Sequence, residues 1–286
     1  MITRISCLAL VISACGSNNT EVPPLPKETN VELVQRGAAP YRELRYHVAK
    51  GTKTTIEVGV SSVLAGRPSP TVTTTLAFTG EDVRPDGGMV LRSVLEKTVG
   101  TSPDGQPLPA ELVNFFEGTQ ITATLSPVGT VSDPKVVPGP HPMPTDELEA
   151  EMTALPKMFE QATFALPNAP VGAGAIWKTR KVIEENGVRV TAVTTFTVTA
   201  IDGDTVTYTR TSQLSGPDQT IAKDGHAVAL SNIAGSGDGK GSVNLATFAL
   251  TAESSQQYAA TIRDKADSTG ATDQLAVTMK LTMQPK

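Results

Sequence analysis

Cysteine is nearly absent from this chain of 286 residues. Its two cysteines, Cys7 and Cys15, both lie within the first fifteen positions. The rest of the chain therefore cannot form a framework of disulfides or a zinc site built from thiolates. Its stability must come from packing alone. The length suffices for one large β domain or two moderate ones, each with a real core.

An excess of basic residues is also missing. The formal net charge is −5, and the pI is about 5.3. A nucleic-acid-binding protein needs a basic face, and so does a protein that adheres electrostatically to anionic lipid. The composition thus argues against a nucleic-acid partner. Hydrophobic residues make up 39% of the chain, more than long disordered proteins contain, so most of the chain is expected to fold.

Residue patterns that carry catalysis are missing as well. The three histidines, His47, His141 and His226, are far apart in the sequence, and none has a second ligand at metal spacing. Neither a metal site nor a histidine-based triad is therefore predicted. The motifs G-x-S-x-G and H-E-x-x-H do not occur,. We expect a protein that is not an enzyme and needs no cofactor.

Two segments resemble ligand loops only superficially. The run GSGDGKG at 235–241 lacks the spacing of a phosphate loop, and no helical pattern follows it, so a flexible hairpin loop is predicted,. Asp264, Asp267 and Asp273 lack the D-x-D-x-D-G spacing of a calcium loop, and a solvated turn is predicted there,. Trp177, the single tryptophan, is expected in the core,.

The first fifteen residues have the pattern of an export signal. An apolar run of roughly ten residues follows Arg4 and is too short to cross a bilayer as a helix,. It ends in Ile12-Ser13-Ala14-Cys15, which resembles the lipobox of bacterial lipoproteins. The resemblance implies cleavage before Cys15, acylation of its thiol and attachment to a membrane through the acyl groups. In enterobacterial lipoproteins, an Asp directly after the lipidated cysteine retains the protein in the inner membrane. This chain has Gly16 at that position, so the resemblance implies that the protein lies in an outer membrane, facing the periplasm or the cell surface.

The chain divides into five segments by composition and pattern. The signal peptide covers 1–14, and the lipidated cysteine with a polar, proline-containing tether covers 15–42,. A first β unit is predicted over 43–137, a proline-rich joint with a helix over 138–169, and a second β unit over 170–286,.

The fold class is predicted to be mostly β, with antiparallel meanders. Apolar and polar residues alternate with a period of two, which indicates strands with one buried face and one threonine-rich solvated face. Residues expected to face a core are Val72, Leu76, Phe78, Val190, Phe196 and Val198. Their neighbours Thr75 and Thr195 are expected to point to water.

Two short helices and an internal repeat complete the prediction. Pro at N1 indicates a helix over 109–117, and an N-cap threonine indicates one over 145–163; both are expected to pack on the sheet,. The three-stranded meanders predicted over 43–99 and 174–214 have similar lengths and turns, which favours duplication, as two lobes or as one long curved sheet. The chain has, in order, a lipobox-like run, a tether and a β-rich body with the mid-chain run PVGAGAIW (170–177) followed by a hairpin. This order is similar to that of uncharacterised bacterial lipoprotein families of unknown function, and the resemblance implies no activity.

Two functional hypotheses remain open. The first is a membrane-anchored, non-enzymatic binding or structural module of the cell envelope, whose partner is another envelope protein. The second is a carrier of a hydrophobic or lipid ligand on a concave sheet. A concave apolar surface would favour the carrier over the structural module.

Overall fold

The computed structural model describes residues 30–140, 164–185, 187–223, 226–264 and 271–286. Strands dominate these ranges. They are β1 Asn30–Gln35, β2 Ala38–Arg42, β3 Lys53–Leu64, β4 Arg67–Pro68, β5 Thr71–Val83, β6 Met89–Thr101, β7 Gln120–Leu125, β8 Val131–Val137, β9 Val171–Ala173, β10 Ile176–Glu185, β11 Val188–Asp202, β12 Thr205–Ser215, β13 Gln219–Lys223, β14 His226–Asn244, β15 Leu250–Asp264 and β16 Asp273–Pro285.

Fourteen of these strands belong to one antiparallel sheet. Its order is β1-β10-β11-β12-β14-β15-β16-β3-β5-β6-β7-β8, with β13 paired to β14 and β4 to β3, while β2 and β9 form a separate pair. The last strand, β16, pairs with β3 and so joins the two halves of the chain. The predicted mostly-β, antiparallel class is confirmed.

The sheet is strongly curled. In sheet order β10 is second and β7 eleventh, nine strands apart, which would be on the order of 40 Å in a flat sheet. Yet the segment 164–166 touches both regions. The Phe164 ring lies 5.3 Å from the Trp177 ring on β10. Two residues on, the Leu166 N–H donates to the Val128 carbonyl oxygen in the turn between β7 and β8, at 2.9 Å. Only a curled sheet can bring these regions to one short segment.

Connecting segments fill the curled sheet at one end. Leu44 and Tyr46 come from the segment before β3, Phe164 from the segment before β9, and Phe248 from the turn between β14 and β15; all are at most 3% exposed. The Tyr46 hydroxyl donates to the Phe164 carbonyl oxygen at 3.1 Å, and the Phe248 ring lies 5.2 Å from Phe78. Side chains from both halves of the chain therefore share one core, which we call the base core.

Residues 30–42, assigned from the sequence to the flexible tether, form β1 and β2. Val31 and Leu33 alternate with polar residues, and both pack against the base core from the edge strand β1. This alternation is too short to predict a strand from the sequence, because prolines and polar residues surround it. The expected tether residues before Asn30 lie outside the described residues, as do the predicted signal peptide and Cys15.

Most positions predicted to face a core do so. Val72, Phe78, Phe196 and Val198 are buried, and Leu76 and Val190 are half-buried against apolar clusters. The expectation that Thr75 points to water is wrong, since it is 6% exposed. The C-terminal residue covers it: Lys286 Nζ lies 3.4 Å from Thr75 Oγ1.

The helix predicted over 109–117 is replaced by two single 3₁₀ turns, Ala110–Leu112 and Asn114–Phe116. Val113 separates them with φ −131°, outside the helical range,. So short a segment gains little from helical hydrogen bonding alone. Burial of Phe116 against Leu95 and Ile121 decides its shape instead.

The helix predicted over 145–163 lies outside the described residues. In the part of the chain that the structure describes, no helix has the length and apolar character needed to cross a membrane.

Candidate ligand-binding surface

The inner face of the sheet changes from apolar to polar beyond the base core. Along β12, Val206 and Tyr208 are buried in the core, and alternation places Arg210, Ser212 and Leu214 on the same face. The register of the neighbouring strands places further polar side chains on this face. We call it the inner belt, and its polar residues are Thr179, Thr194, Arg210, Ser212, Ser254, Gln256 and Tyr258.

A row of glycines on β14 runs through the middle of the inner belt. Gly235, Gly237, Gly239 and Gly241 share the face of Val243, which is fully buried in the base core. The predicted flexible hairpin loop at 235–241 is therefore wrong. The segment lies within a strand of 19 residues that is paired with β12 on one side and β15 on the other.

Glycine is required at these positions because side chains from β12 and β15 lie over them. Tyr208 stands opposite Gly241, and Arg210 stands opposite Gly239. A Cβ at position 239 would lie 3.2 Å from Arg210 Nε and 2.8 Å from Ser254 Cβ. Glycine normally weakens a strand, but here its missing side chain lets the long side chains of β12 and β15 lie across β14.

Arg210 is the charged centre of the inner belt. It is half-buried, and its Nη2 donates to the Ser254 hydroxyl at 2.9 Å; Ser254 is 6% exposed. Among the described residues, no carboxylate lies within 4.0 Å of the guanidinium. A guanidinium stays charged at all physiological pH values and carries five N–H donors. Most of its hydrogen-bonding capacity is therefore not used by the described residues.

Two tyrosines flank this guanidinium. Burial raises the pKa of both Tyr208 and Tyr258, and the positive charge of Arg210 acts in the opposite direction on each. The Tyr258 hydroxyl donates to Gln256 Oε1. Arg210 thus lies among partly buried side chains, where an electrostatic interaction is stronger than in bulk water,.

An apolar strip adjoins the inner belt on β16 and β3. Register places Leu281 beside Ser254 and Met279 beside Gln256, and Val60 beside Leu281. We define the apolar strip as Val60, Met279, Leu281 and Met283. All four are half-buried, whereas Lys280 and Thr282, on the opposite face of β16, are exposed. The inner face thus presents apolar side chains within about 10–15 Å of a cation with which no described carboxylate pairs,.

The histidines are placed differently. His47 has a partner that the sequence did not reveal: its Nε2 lies 3.4 Å from Asp204 Oδ2, and Arg42 Nη2 lies 3.4 Å from Asp204 Oδ1. The His47 side chain is 54% exposed. His141 lies outside the described residues, and His226 begins β14.

Two of the three aspartates that resembled a calcium loop lie on different strands. Asp264 ends β15 and Asp273 begins β16, while Asp267 lies outside the described residues. Across the ranges that the structure describes, no group of three or more His, Cys, Asp or Glu side chains could hold a metal ion.

Comparison with known proteins gives a partial match. Residues 147–248 match the model of a family of unknown function (DUF6263). The match covers less than half of the chain but contains β9 to β14, including Arg210 and the glycine row. The chain is similar to this family over that stretch. The comparison with curated proteins found no match.

Proposed function

We propose that this protein is a lipoprotein of the cell envelope, anchored through acylated Cys15, which carries a hydrophobic ligand on the inner face of its curled sheet. The observation that carries the proposal is the apolar strip. Its four large side chains lie on the same face as the base core, and Val60, Leu281 and Met283 pack against that core, yet all four remain partly exposed. A strand packed on a completed core would bury such residues fully, because apolar surface left in water is costly.

The position of the strip supports a carrier. It lies on the concave side of the sheet, where the neighbouring strands surround an occupant better than a flat face could. Attachment by acyl groups would hold the domain close to a membrane, which is a source of hydrophobic ligands. The lipobox at 12–15 supports this anchoring, with Gly16 favouring an outer membrane.

A non-enzymatic module that binds another envelope protein is the second candidate. Val83, Val99 and Val137, on the β5–β8 side of the sheet, are 45–58% exposed. Scattered apolar residues at a surface are common, so this observation supports the second candidate more weakly. The meanders β3-β5-β6 and β10-β11-β12 are each three adjacent strands, which supports a proposed origin by duplication.

The anchor is tested by Cys15→Ser in the full chain. Without the thiol no acyl group can be attached, so the variant should lose incorporation of a palmitate analogue and leave the membrane fraction. Cys7→Ser, within the signal, is the matched control and should keep both properties. Unchanged label and unchanged membrane partition in Cys15→Ser would refute the anchoring.

The carrier function is tested by what the protein holds after purification. The Cys15→Ser protein should release an acyl-chain compound on organic extraction, detectable by mass spectrometry, without any ligand having been added. Leu281→Gln should lower the yield several-fold, because it makes the apolar strip polar. Lys280→Gln, one residue away on the exposed face, should retain it. Extracts empty of such compounds, with no uptake of added hexadecanol, would refute the carrier function.

A further inference from the structure

We infer that Arg210 is the binding site for the anionic headgroup of an amphiphilic ligand whose chain lies on the apolar strip. The inference rests on the proposed carrier function and specifies the class of ligand: a long-chain compound that ends in a carboxylate or a phosphate. The carrier function by itself would accept neutral hydrocarbons equally well.

The first argument is charge. A half-buried guanidinium is normally paired, because removing a charge from water without compensation is unfavourable. Arg210 has only the neutral Ser254 hydroxyl as a hydrogen-bond acceptor among the described residues. By comparison Arg92, another partly buried arginine, donates through Nε to Glu81 Oε1 at 2.5 Å. An oxyanion would supply the compensation that Arg210 lacks.

The second argument is geometry. The planar guanidinium matches a carboxylate or phosphate through two parallel N–H···O bonds. Gly239 removes the side chain beneath it, and the bond to Ser254 fixes one end of the group. The remaining donors are thereby held on the inner face, beside the tyrosine side chains of β12 and β15.

The third argument is adjacency. Ser254, which binds Arg210, is the direct neighbour of Leu281 across β15 and β16. Cation and apolar strip are therefore separated by two strands, β14 and β15, or about 10–15 Å from Arg210 to Leu281,. One amphiphile of ordinary chain length can contact both. A free inorganic anion would explain the cation but not the strip beside it.

The test compares two probes that share a chain of sixteen carbons, palmitate and hexadecanol, on delipidated Cys15→Ser protein. The protein should bind palmitate roughly tenfold to a hundredfold more tightly than hexadecanol, as expected for charge-assisted hydrogen bonds. Arg210→Gln should remove this preference by lowering the affinity for palmitate to about that for hexadecanol. Arg210→Lys should restore part of it, because the charge returns without the paired donors. Lys240→Gln, an exposed cation on the outer face of β14, is the control and should change neither affinity.

The outcomes separate the two proposals. Equal affinity for both probes in the unsubstituted protein would overturn the headgroup site while leaving the carrier function standing. Failure to bind either probe would overturn both. A palmitate preference that survives in a folded Arg210→Gln variant would also overturn the site. If the unsubstituted protein binds inorganic phosphate, Arg210→Gln abolishes that binding, and neither protein prefers one lipid, Arg210 is a free-anion site and the headgroup assignment is refuted. Circular dichroism of each variant verifies folding.

Discussion

Phe164 should be the side chain on which the curl of the sheet depends most. It is 3% exposed, and its ring lies 5.3 Å from Trp177, 4.8 Å from Phe196 and 4.4 Å from Tyr208. Phe164→Ala would empty the space between three strands and the connecting segments. Such substitutions in a core cost about 3–5 kcal/mol. Since domains are typically stable by about 5–15 kcal/mol, a large share of the total would be lost.

Urea titration is the assay, and Trp177 is its natural probe. It is the single tryptophan, fully buried, and its indole N–H donates to the Ala165 carbonyl oxygen at 3.0 Å. The transition midpoint should fall in Phe164→Ala with little change in the slope m, because the surface exposed on unfolding is nearly the same. Native emission should change as well, since the indole loses the ring that packs against it.

Phe115→Ala is the matched control for this substitution. It removes the same atoms from a half-buried ring in the small cluster around Phe116, so its cost should be clearly smaller, about 1–2 kcal/mol. A loss below about 1 kcal/mol in Phe164→Ala, or equal losses in the two variants, would refute the view that this ring holds the curled sheet on a shared core.

Two further predictions concern the base of the sheet. Gly172→Val should prevent folding, seen as insoluble protein, because a Cβ there would overlap the Ala38 carbonyl oxygen; Gly51→Ala, with φ +83° but open space around it, should cost only about 1–2 kcal/mol,. Burial raises the pKa of Tyr46 above its usual value of 10, so its stabilising effect is complete below about pH 10 and is lost as the pH rises further. Tyr46→Phe should therefore cost about 1 kcal/mol at pH 7 through its lost hydrogen bond and should weaken the alkaline loss of stability in urea titrations; an unchanged pH dependence would contradict this.

The sequence alone determined the class of the fold and the faces of individual strands. Alternation predicted that Phe78, Phe196 and Val198 face a core, and they do, because side-chain direction in a strand is a local property with a period of two. The burial of Trp177 followed from its size and hydrophobic character,.

Only the tertiary structure decided which strands are neighbours, and with that the candidate site. The run 235–241 has low strand propensity, yet it forms a strand because β12 and β15 cover its glycines with their own side chains. Thr75 is buried by Lys286, and His47 meets Asp204, from distant parts of the chain. The absence of a carboxylate beside Arg210, among the residues that the structure describes, likewise depends on strands that are distant in the sequence. Such contacts follow from the order of strands in the sheet, and strand order is fixed by the whole chain packing at once rather than by any local pattern.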